Sequence, residues 1–289
     1  MFRQDRTNPS TAISNWRGRH DTPKAWPSTA VSTWLNGGLF GAAATGAVYF
    51  CGGAGTPWSV FDTITKFSFL DDTRTVLTAT LSGNAYDAGG AGNAGVAGYF
   101  MGGVTTDVID KLDFPAETTS ALVATMSAAI SSFGVASNNA VAAYTGGGYS
   151  GGNYRDWVQK LDFTNDTIAT LGTGTSAGGT QSMGMANSGT AGYIAIGAAS
   201  GGRVDTVDKF AFSDDTRTTL GTGTSVSGGA GYGLGNKDVA GYICQGYTTT
   251  YSAVADKFAF PSDSRTTLAQ GADPATDVWA GCANSAELA

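Results

Sequence analysis

The chain has 289 residues, of which 43 are glycine, 42% are hydrophobic and 13% are charged, and its formal net charge is −7. The hydrophobic residues occur in short regular runs, which argues against disorder, and no run reaches the roughly 18 apolar residues of a membrane span. Abundant glycine beside β-branched and aromatic residues is typical of many short strands joined by tight turns.

The N-terminal stretch differs from the rest of the chain. Residues 1–44 carry five basic and two acidic residues, whereas the remainder is strongly acidic. Trp and Arg are the residue types that anchor protein interfaces. We expect residues 1–36 to form an extended arm that docks onto another protein; the alternative is packing along its own body. The anchoring residues would be Arg3, Arg6, Trp16, Arg17, Arg19, Trp26 and Trp34.

From residue 37 the chain repeats one unit five times. The spacings between successive marker tyrosines are 50, 45, 49 and 49 residues for Tyr49, Tyr99, Tyr144, Tyr193 and Tyr242. A marker lysine keeps nearly the same period at Lys66, Lys111, Lys160, Lys209 and Lys257. A period near 50 residues with several short strands per unit predicts a β-propeller with one blade per copy. The copies cover approximately residues 37–81, 83–126, 130–175, 178–224 and 227–271.

Each copy contains the pattern of four strands. The first strand is rich in small residues, as at 228–236 of the fifth copy, and a turn such as 187–190 of the fourth copy follows it. The third strand contains the alternating Asp-Lys pattern, and the fourth is rich in Thr, as at 216–220 of the fourth copy. We therefore predict an all-β fold, a β-propeller of five four-stranded blades spanning residues 37–289. The first strand of the first blade is supplied either by residues 37–44 or by residues 277–288, which would then close the ring. Small residues should let the innermost strands approach closely, and aromatic residues should fill the space between blades.

The sequence contains no evident catalytic set. His20 is the single histidine and lies in the arm, so a Ser-His-Asp or Cys-His mechanism within the repeats has no base, and the repeats lack histidine for a zinc site. We expect no catalytic residues, no metal site and no cofactor. Asp-based hydrolysis is the less favoured alternative.

The three cysteines do not form a disulfide framework. Cys51 and Cys244 each lie two residues after a marker tyrosine, and we expect both to be small buried hydrophobic residues. A disulfide between them is the alternative.

Carboxylates recur in the turn before the fourth strand, as Asp71-Asp72, Asp214-Asp215 and Asp263. We expect these residues to bond nearby backbone amides as Asx turns; calcium binding is the alternative. The neighbouring Asp and Lys of the third strand, such as Asp208 and Lys209, should make cross-strand or interblade contacts.

The variable connection between the second and third strands is the best candidate for ligand binding. In the third copy it contains the Gly-rich stretch 146–153, whose Tyr, Ser, Gly and Asn are typical of adaptable binding loops. Its aromatic residues could stack on sugar rings, or they could pack between blades. The candidate ligand-binding residues of these loops are Trp58, Tyr149, Tyr154, Arg155, Trp157, Tyr247 and Tyr251.

The repeat as a whole resembles the kelch repeat over residues 37–271: apolar-Tyr-apolar-x-Gly-Gly, a variable loop, an aromatic-Asp strand and a Thr-containing turn. It departs from that pattern where leucine replaces the usual tryptophan of the fourth strand, at Leu77, Leu171, Leu220 and Leu268. The version VDKFAFSDDTRTTLGTG, together with NSGTAGY, is similar to kelch-like repeats in virion proteins of tailed bacteriophages.

This resemblance implies a non-enzymatic structural protein of a virion, as a tail fibre or spike module or a head decoration. Its partners would be capsid, portal, adaptor or tail proteins, and further copies of itself. A glycan- or host-receptor-binding propeller is the alternative. We expect no nucleic-acid partner and no signal peptide. We therefore expect the protein to assemble in the host cytoplasm and to be located in the virion.

Overall fold

The structure of the chain, a computed structural model, describes residues 46–55 and 59–271. These residues form strands and turns, and they include no helix that is long and apolar enough to cross a membrane. They fall into two compact units; the larger contains the described residues within 48–66 and 74–271, and the smaller includes residues 67–73. The predicted arm, Trp58 and the predicted closing strand 277–288 lie outside the described residues.

The described part of the first copy contributes a three-stranded sheet and a short hairpin. The sheet has the order β1-β4-β5, and β2 pairs with β3 in the connection between β1 and β4. The strands are β1 (Ala47–Cys51), β2 (Ala54–Gly55), β3 (Ser59–Val60), β4 (Thr63–Ser68) and β5 (Arg74–Thr80).

Each of the next four copies forms a four-stranded antiparallel sheet. The second copy contains β6 (Gly89–Asn93), β7 (Ala97–Met101), β8 (Ile109–Asp113) and β9 (Thr118–Ala121). The third contains β10 (Gly134–Asn138), β11 (Ala142–Gly146), β12 (Tyr149–Ser150), β13 (Asn153–Tyr154), β14 (Val158–Asp162) and β15 (Thr167–Thr170). The fourth contains β16 (Gly179–Thr180), β17 (Met183–Asn187), β18 (Ala191–Ala195), β19 (Ala198–Ala199), β20 (Gly202–Arg203), β21 (Val207–Ala211) and β22 (Arg217–Thr219). The fifth contains β23 (Tyr232–Asn236), β24 (Ala240–Cys244), β25 (Ala255–Ala259) and β26 (Ser264–Thr267).

The sheets keep one register from copy to copy. Their strand orders are β6-β7-β8-β9, β10-β11-β14-β15, β17-β18-β21-β22 and β23-β24-β25-β26. In every one of them the marker tyrosine of the second strand lies directly opposite the marker lysine of the third, as Tyr193 lies opposite Lys209. The two periodic markers of the sequence are therefore cross-strand neighbours in one repeated unit.

Small residues let the innermost strands of successive copies approach closely, as predicted. A Cβ on Gly184 of β17 would overlap the carbonyl oxygen of Val135 in β10, and a Cβ on Gly233 of β23 would overlap the carbonyl oxygen of Gly184. No side chain larger than a hydrogen atom fits at these positions without displacing backbone.

The hydrophobic core lies between successive copies. One cluster joins Met183, Tyr193 and Val207 of the fourth copy to Ile243 and Phe258 of the fifth. At each of four junctions the marker tyrosine stacks on a phenylalanine of the next copy, with ring centroids 4.9–5.2 Å apart. The stacked pairs are Tyr49–Phe114, Tyr99–Phe163, Tyr144–Phe212 and Tyr193–Phe260. The predicted aromatic filling between blades is confirmed.

The first strand of the fifth copy is shorter than the sequence predicts. It begins at Tyr232 rather than at residue 228. Gly229 forms an isolated bridge with Tyr247 instead, and Ala230 has a φ of 54°, so the chain turns before it enters the sheet. The predicted fourth strand 216–220 likewise forms only at Arg217–Thr219.

Candidate functional site

The marker tyrosine and the marker lysine of one copy bind a single acidic residue of the next. Tyr193 Oη donates to Asp263 Oδ1 at 2.7 Å, and Lys209 Nζ donates to Asp263 Oδ2 at 2.7 Å. The same arrangement occurs at three earlier junctions: Tyr49–Lys66–Glu117, Tyr99–Lys111–Asp166 and Tyr144–Lys160–Asp215. We call these four arrangements the interblade triads.

Each triad acid lies in the turn between the third and fourth strands and has left-handed backbone. The φ angles are 52° at Glu117, 56° at Asp166, 59° at Asp215 and 55° at Asp263. Asp adopts this region more readily than most residues. The turn thus directs the carboxylate towards the preceding copy. The predicted Asx-turn role is therefore wrong for Asp215 and Asp263, whose carboxylates bind Tyr144 and Tyr193.

The predicted Asx turn does form at the aspartate that precedes the triad acid in the fourth copy, and at the equivalent aspartate of the first. Asp214 Oδ1 accepts hydrogen bonds from the Thr216 backbone N–H and hydroxyl, and Asp71 makes the same bonds to Thr73. These bonds hold the pKa of the Asp214 carboxyl below its usual value. Hydrogen bonding with Ser68, followed by the Thr73 bonds, lowers the pKa of Asp71. The described residues contain no group of three His, Cys, Asp or Glu side chains that could hold a metal ion.

The triads hold the tyrosines in their neutral form. Burial, followed by the hydrogen bond to the carboxylate, raises the pKa of Tyr99 and of Tyr144 to about 12. The lysine also lies over the tyrosine ring, 5.2 Å from the Tyr144 centroid at Lys160. The ion pairs keep 21–32% of their side-chain surface exposed, so each is worth only about 0–1 kcal/mol.

The aspartate beside the marker lysine binds the connection that leads in from the preceding copy. Asp208 Oδ2 accepts from the Ser176 backbone N–H at 2.6 Å and from its hydroxyl at 2.9 Å, and Asp208 Oδ1 accepts from Thr219 Oγ1 at 2.6 Å. Asp256 makes the same three bonds in the fifth copy, to Ser225 and Thr267. The predicted interblade contacts of the Asp-Lys neighbours therefore form: Asp208 contacts the connection from the third copy, and Lys209 contacts the fifth copy.

The second copy departs from this scheme. Asp110 Oδ2 accepts from Ser82, but Ala121 occupies the position of the threonine in the fourth strand. Asp110 Oδ1 consequently has no hydrogen-bond partner among the described residues, although Asp110 is only 6% exposed. The signal was visible in the sequence, since threonine stands at the equivalent positions 170, 219 and 267.

The predicted ligand-binding loop of the third copy is a hairpin that carries a tyrosine pair. Tyr149 and Tyr154 face each other across β12 and β13, with ring centroids 5.6 Å apart at an interplanar angle of 69°. They are 41% and 40% exposed. Tyr247 and Tyr251 form a second edge-to-face pair in the fifth copy, with centroids 5.8 Å apart, and Tyr251 is 60% exposed.

Backbone pairing joins the loops of the third and fourth copies into one layer. Ser131 bridges to Tyr149, Arg155 bridges to Gly179, and β16 continues through β19 to β20. The name loop layer is used for these residues (Ser131, 149–155, 179–180 and 198–203) together with residues 229 and 247–251 of the fifth copy, which pair with one another and contact Arg203 through Tyr247.

Two arginines of the loop layer stack on aromatic rings, one of which, Trp157, lies just outside the layer. The Arg155 guanidinium lies 4.5 Å from the Trp157 ring, and the Arg203 guanidinium lies 4.4 Å from the Tyr247 ring of the next copy. Arg203 also donates to Gln181 Oε1 at 2.8 Å. The stacked Arg203 links the fourth copy to the tyrosine pair of the fifth. Sequence reasoning missed Arg203 and Gln181 because single polar residues in a loop carry no periodic signal.

The predicted loop residues thus divide into two kinds. Tyr149, Tyr154 and Tyr251 are exposed, whereas Trp157 is half-buried and packs against the hydrophobic core, as the alternative of interblade packing predicts. Trp58 lies outside the described residues. The exposed tyrosines offer flat apolar surfaces with a polar hydroxyl, which suits stacking on a planar or ring-shaped ligand.

The two cysteines in the described chain are free, and both are half-buried rather than buried as predicted. Burial, followed by the nearby charge of Asp110, raises the pKa of the Cys51 thiol, and burial also raises the pKa of Cys244. Raised thiol pKa values make these cysteines poor nucleophiles.

Comparison with known proteins places the fold. A solved structure described as YjhT is similar with a TM-score of 0.62 and 14% sequence identity, over 79% of this chain and 82% of that one. The predicted fold class, an all-β propeller of four-stranded blades, is confirmed. Neither a protein-family profile nor a curated protein matches the chain.

Proposed function

We propose that this chain is a non-enzymatic structural protein of a bacteriophage virion, whose N-terminal arm attaches to a capsid or tail component while the propeller faces outward. The supporting structural observation is that the repeated polar residues bind one another where two copies meet. A tyrosine, a lysine and an acidic residue bind one another at four junctions between copies, as Tyr193, Lys209 and Asp263 do. Blade assembly thus accounts for them, which leaves the arm and the variable loops as the parts with other partners.

The biological setting rests on the sequence. The repeat resembles those of kelch-like virion proteins, and the basic, Trp-bearing arm contrasts with an acidic body. The propeller would serve as a tail-fibre, spike or head-decoration module with several copies per particle. Multiple copies would strengthen an individually weak attachment of the arm.

Deletion of residues 1–34 tests the attachment. The shortened protein should keep the melting temperature of the propeller and be absent from assembled particles, as measured by mass spectrometry of purified virions. Alanine substitution of the three arm tryptophans, Trp16, Trp26 and Trp34, should reduce incorporation in the same way. Normal incorporation of the shortened protein would refute the proposed role of the arm.

A second candidate function is glycan recognition by the loop layer. Its specific support is the presence of two tyrosine pairs, of which Tyr149, Tyr154 and Tyr251 are exposed, and of two stacked arginines. Sugar rings present apolar faces that stack on aromatic side chains, while their hydroxyls pair with Arg, Gln and Asn.

A glycan array with the full chain tests this second function. Binding should fall at least about tenfold in Tyr154→Ala and in Tyr251→Ala, since each removes an exposed aromatic surface worth over 1 kcal/mol at a binding hot spot. Val123→Ala is the matched control, because Val123 is fully exposed outside the loop layer. No binding by the parent chain, or equal binding by all three variants, would refute glycan recognition there.

A further inference from the structure

The loop layer contains a small antiparallel sheet whose register fixes which side chains share a side. Arg155 bridges to Gly179, Gly179 pairs with Ala199, and Ala199 pairs with Gly202. Residues directly opposite one another in an antiparallel sheet point to the same side. That side faces inward, because the Arg155 Nε is buried and the Arg155 guanidinium stacks on Trp157, which packs against the hydrophobic core.

Tyr154 and Arg203 point to the outward side of this sheet. Each is adjacent in the chain to a residue of the inward side, and successive side chains of a strand alternate between the two sides. Tyr149 lies opposite Tyr154, while Thr180 and Ala198 lie in register with Arg203. We call these five residues the outer row. The two tyrosines are 41% and 40% exposed, as an outward position requires.

The outer row has aromatic rings at one end, a cation at the other and small side chains between them. Three strand steps separate the strand of Tyr154 from the strand of Arg203. Neighbouring strands lie about 4.8 Å apart, so the two ends are separated by about 14 Å. A ligand that contacts both ends must therefore be longer than a single sugar ring.

Arg203 has donors that no other described side chain uses. None of the four ion pairs in the described chain includes Arg203, and its side chain donates from Nη1 to Gln181 Oε1. Its Nε and Nη2 have no hydrogen-bond partner among the described residues and, unlike the Arg155 Nε, are not buried. The Tyr247 ring lies 4.4 Å from the guanidinium and holds it in place. A fixed guanidinium with free N–H groups suits an anionic ligand, because its forked donors match a carboxylate or a phosphate.

We propose that the outer row binds an acidic oligosaccharide, with the acidic group on Arg203 and a sugar ring on Tyr149 and Tyr154. This proposal rests on glycan recognition by the loop layer and adds the class of glycan. An acidic ligand supplies the negative charge that Arg203 lacks within the described chain. The exposed tyrosine rings suit the apolar face of a sugar, and the small side chains of Thr180 and Ala198 leave room for the saccharide between the two ends. The acidic group is a carboxylate or a phosphate, since Arg binds both through the same pair of donors.

An array of paired glycans, probed with the full chain, tests the class. It holds uronate-containing and phosphorylated oligosaccharides, each beside a neutral counterpart in which the carboxylate is reduced or the phosphate removed. The acidic forms should bind at least about tenfold more tightly, because the neutral forms lose the charged hydrogen bonds to Arg203. Preference for the uronates or for the phosphorylated glycans identifies the source of the charge.

The array separates failure of this proposal from failure of glycan recognition itself. Equal binding of the acidic and neutral forms would overturn the acidic class and leave glycan recognition standing. Absence of binding to every glycan would overturn both. Binding of a glutamate peptide, with no glycan bound, would overturn the proposal in favour of a protein partner.

Four substitutions locate the anchor. Arg203→Gln should weaken binding of the acidic form at least about tenfold and affect the neutral form less, whereas Tyr154→Ala should weaken binding of both forms. Lys237→Gln removes an exposed positive charge outside the loop layer and should change neither. Arg203→Lys keeps the charge but loses the forked donors, so it should also bind the acidic form more weakly, and it provides the test if circular dichroism shows that Arg203→Gln is unfolded. Unchanged affinity for the acidic form in the Arg203 variants, or an equal loss for both forms, would overturn Arg203 as the anchor.

Discussion

Tyr193 in the fourth copy and Asp263 in the fifth are joined by a hydrogen bond of 2.7 Å from the phenol to the carboxylate. The Tyr193 ring also stacks on Phe260 of the fifth copy, with centroids 5.2 Å apart. One side chain thus couples two blades through both its apolar ring and its polar end. Because this relationship recurs at four junctions, the triads should stabilise the larger unit at regular intervals along the chain.

Removal of a triad charge should destabilise the fold modestly. Asp215→Asn keeps a side chain that tolerates the left-handed φ of 59° but loses the charge that Tyr144 and Lys160 bind. The free energy of unfolding in urea should fall by about 1 kcal/mol, because the pair is partly exposed. Asp214→Asn is the control, since an amide oxygen can replace its Asx-turn contacts, and it should change stability little. Equal losses in the two variants would contradict the triad as the cause.

Stability should fall in alkaline solution as the triad tyrosines ionise. Burial and the neighbouring carboxylates raise the pKa of Tyr99 and Tyr144 from about 10 to about 12. The folded state therefore holds these protons more tightly than the unfolded state does, so their contribution is complete below about pH 10 and is lost as the pH rises through about 12. Urea unfolding between these pH values should show this decline, and Tyr144→Phe should reduce its slope. An unchanged slope in that variant would contradict the assignment.

An exposed threonine should matter more than its exposure suggests. Thr219→Ala removes the hydroxyl that donates to Asp208 Oδ1 and leaves a fully buried carboxylate oxygen unsatisfied. The cost should be about 1–3 kcal/mol in the free energy of unfolding. Thr218→Ala, one residue earlier on the same exposed strand, is the matched control and should cost little. Conversely, Ala121→Thr should raise stability by about 1 kcal/mol, because it supplies the missing donor. A stability loss in Ala121→Thr would contradict this account.

Close approach of the innermost strands should make one glycine intolerant of any side chain. Gly184→Ala places a Cβ against the Val135 carbonyl and should destabilise the protein by about 1–3 kcal/mol, as overpacking does. Gly92→Ala, also on an innermost strand, has nothing within 4 Å of the added Cβ and should have little effect. Thermal unfolding of the two variants measures the difference, and equal melting temperatures would refute the crowding argument.

Much of the scaffold could be predicted because its signals are local or periodic. The marker tyrosines and lysines keep a period near 49 residues, and turn residues separate short alternating strands, so the copies and their strands follow from the sequence. The crowding at Gly184 and Gly233 also follows, because small residues recur in the first strand of each copy.

The candidate sites depended on contacts that local sequence does not encode. Asp208 and Lys209 are neighbours in the chain, yet Asp208 binds Ser176 in the connection from the third copy and Lys209 binds Asp263 of the fifth, because successive side chains of a strand point to opposite faces. Which carboxylate meets Lys209 is decided by how one sheet packs on the next, not by spacing.

The sequence by itself determined a repeated all-β chain with tight inner strands, because residue period, side-chain volume and turn chemistry act within one copy. Only the tertiary structure decided that Asp263 receives Tyr193 and Lys209 and that the loops of the third and fourth copies join in one layer. These features form where different copies meet. Their geometry depends on the packing of whole sheets, which no short stretch of the chain specifies.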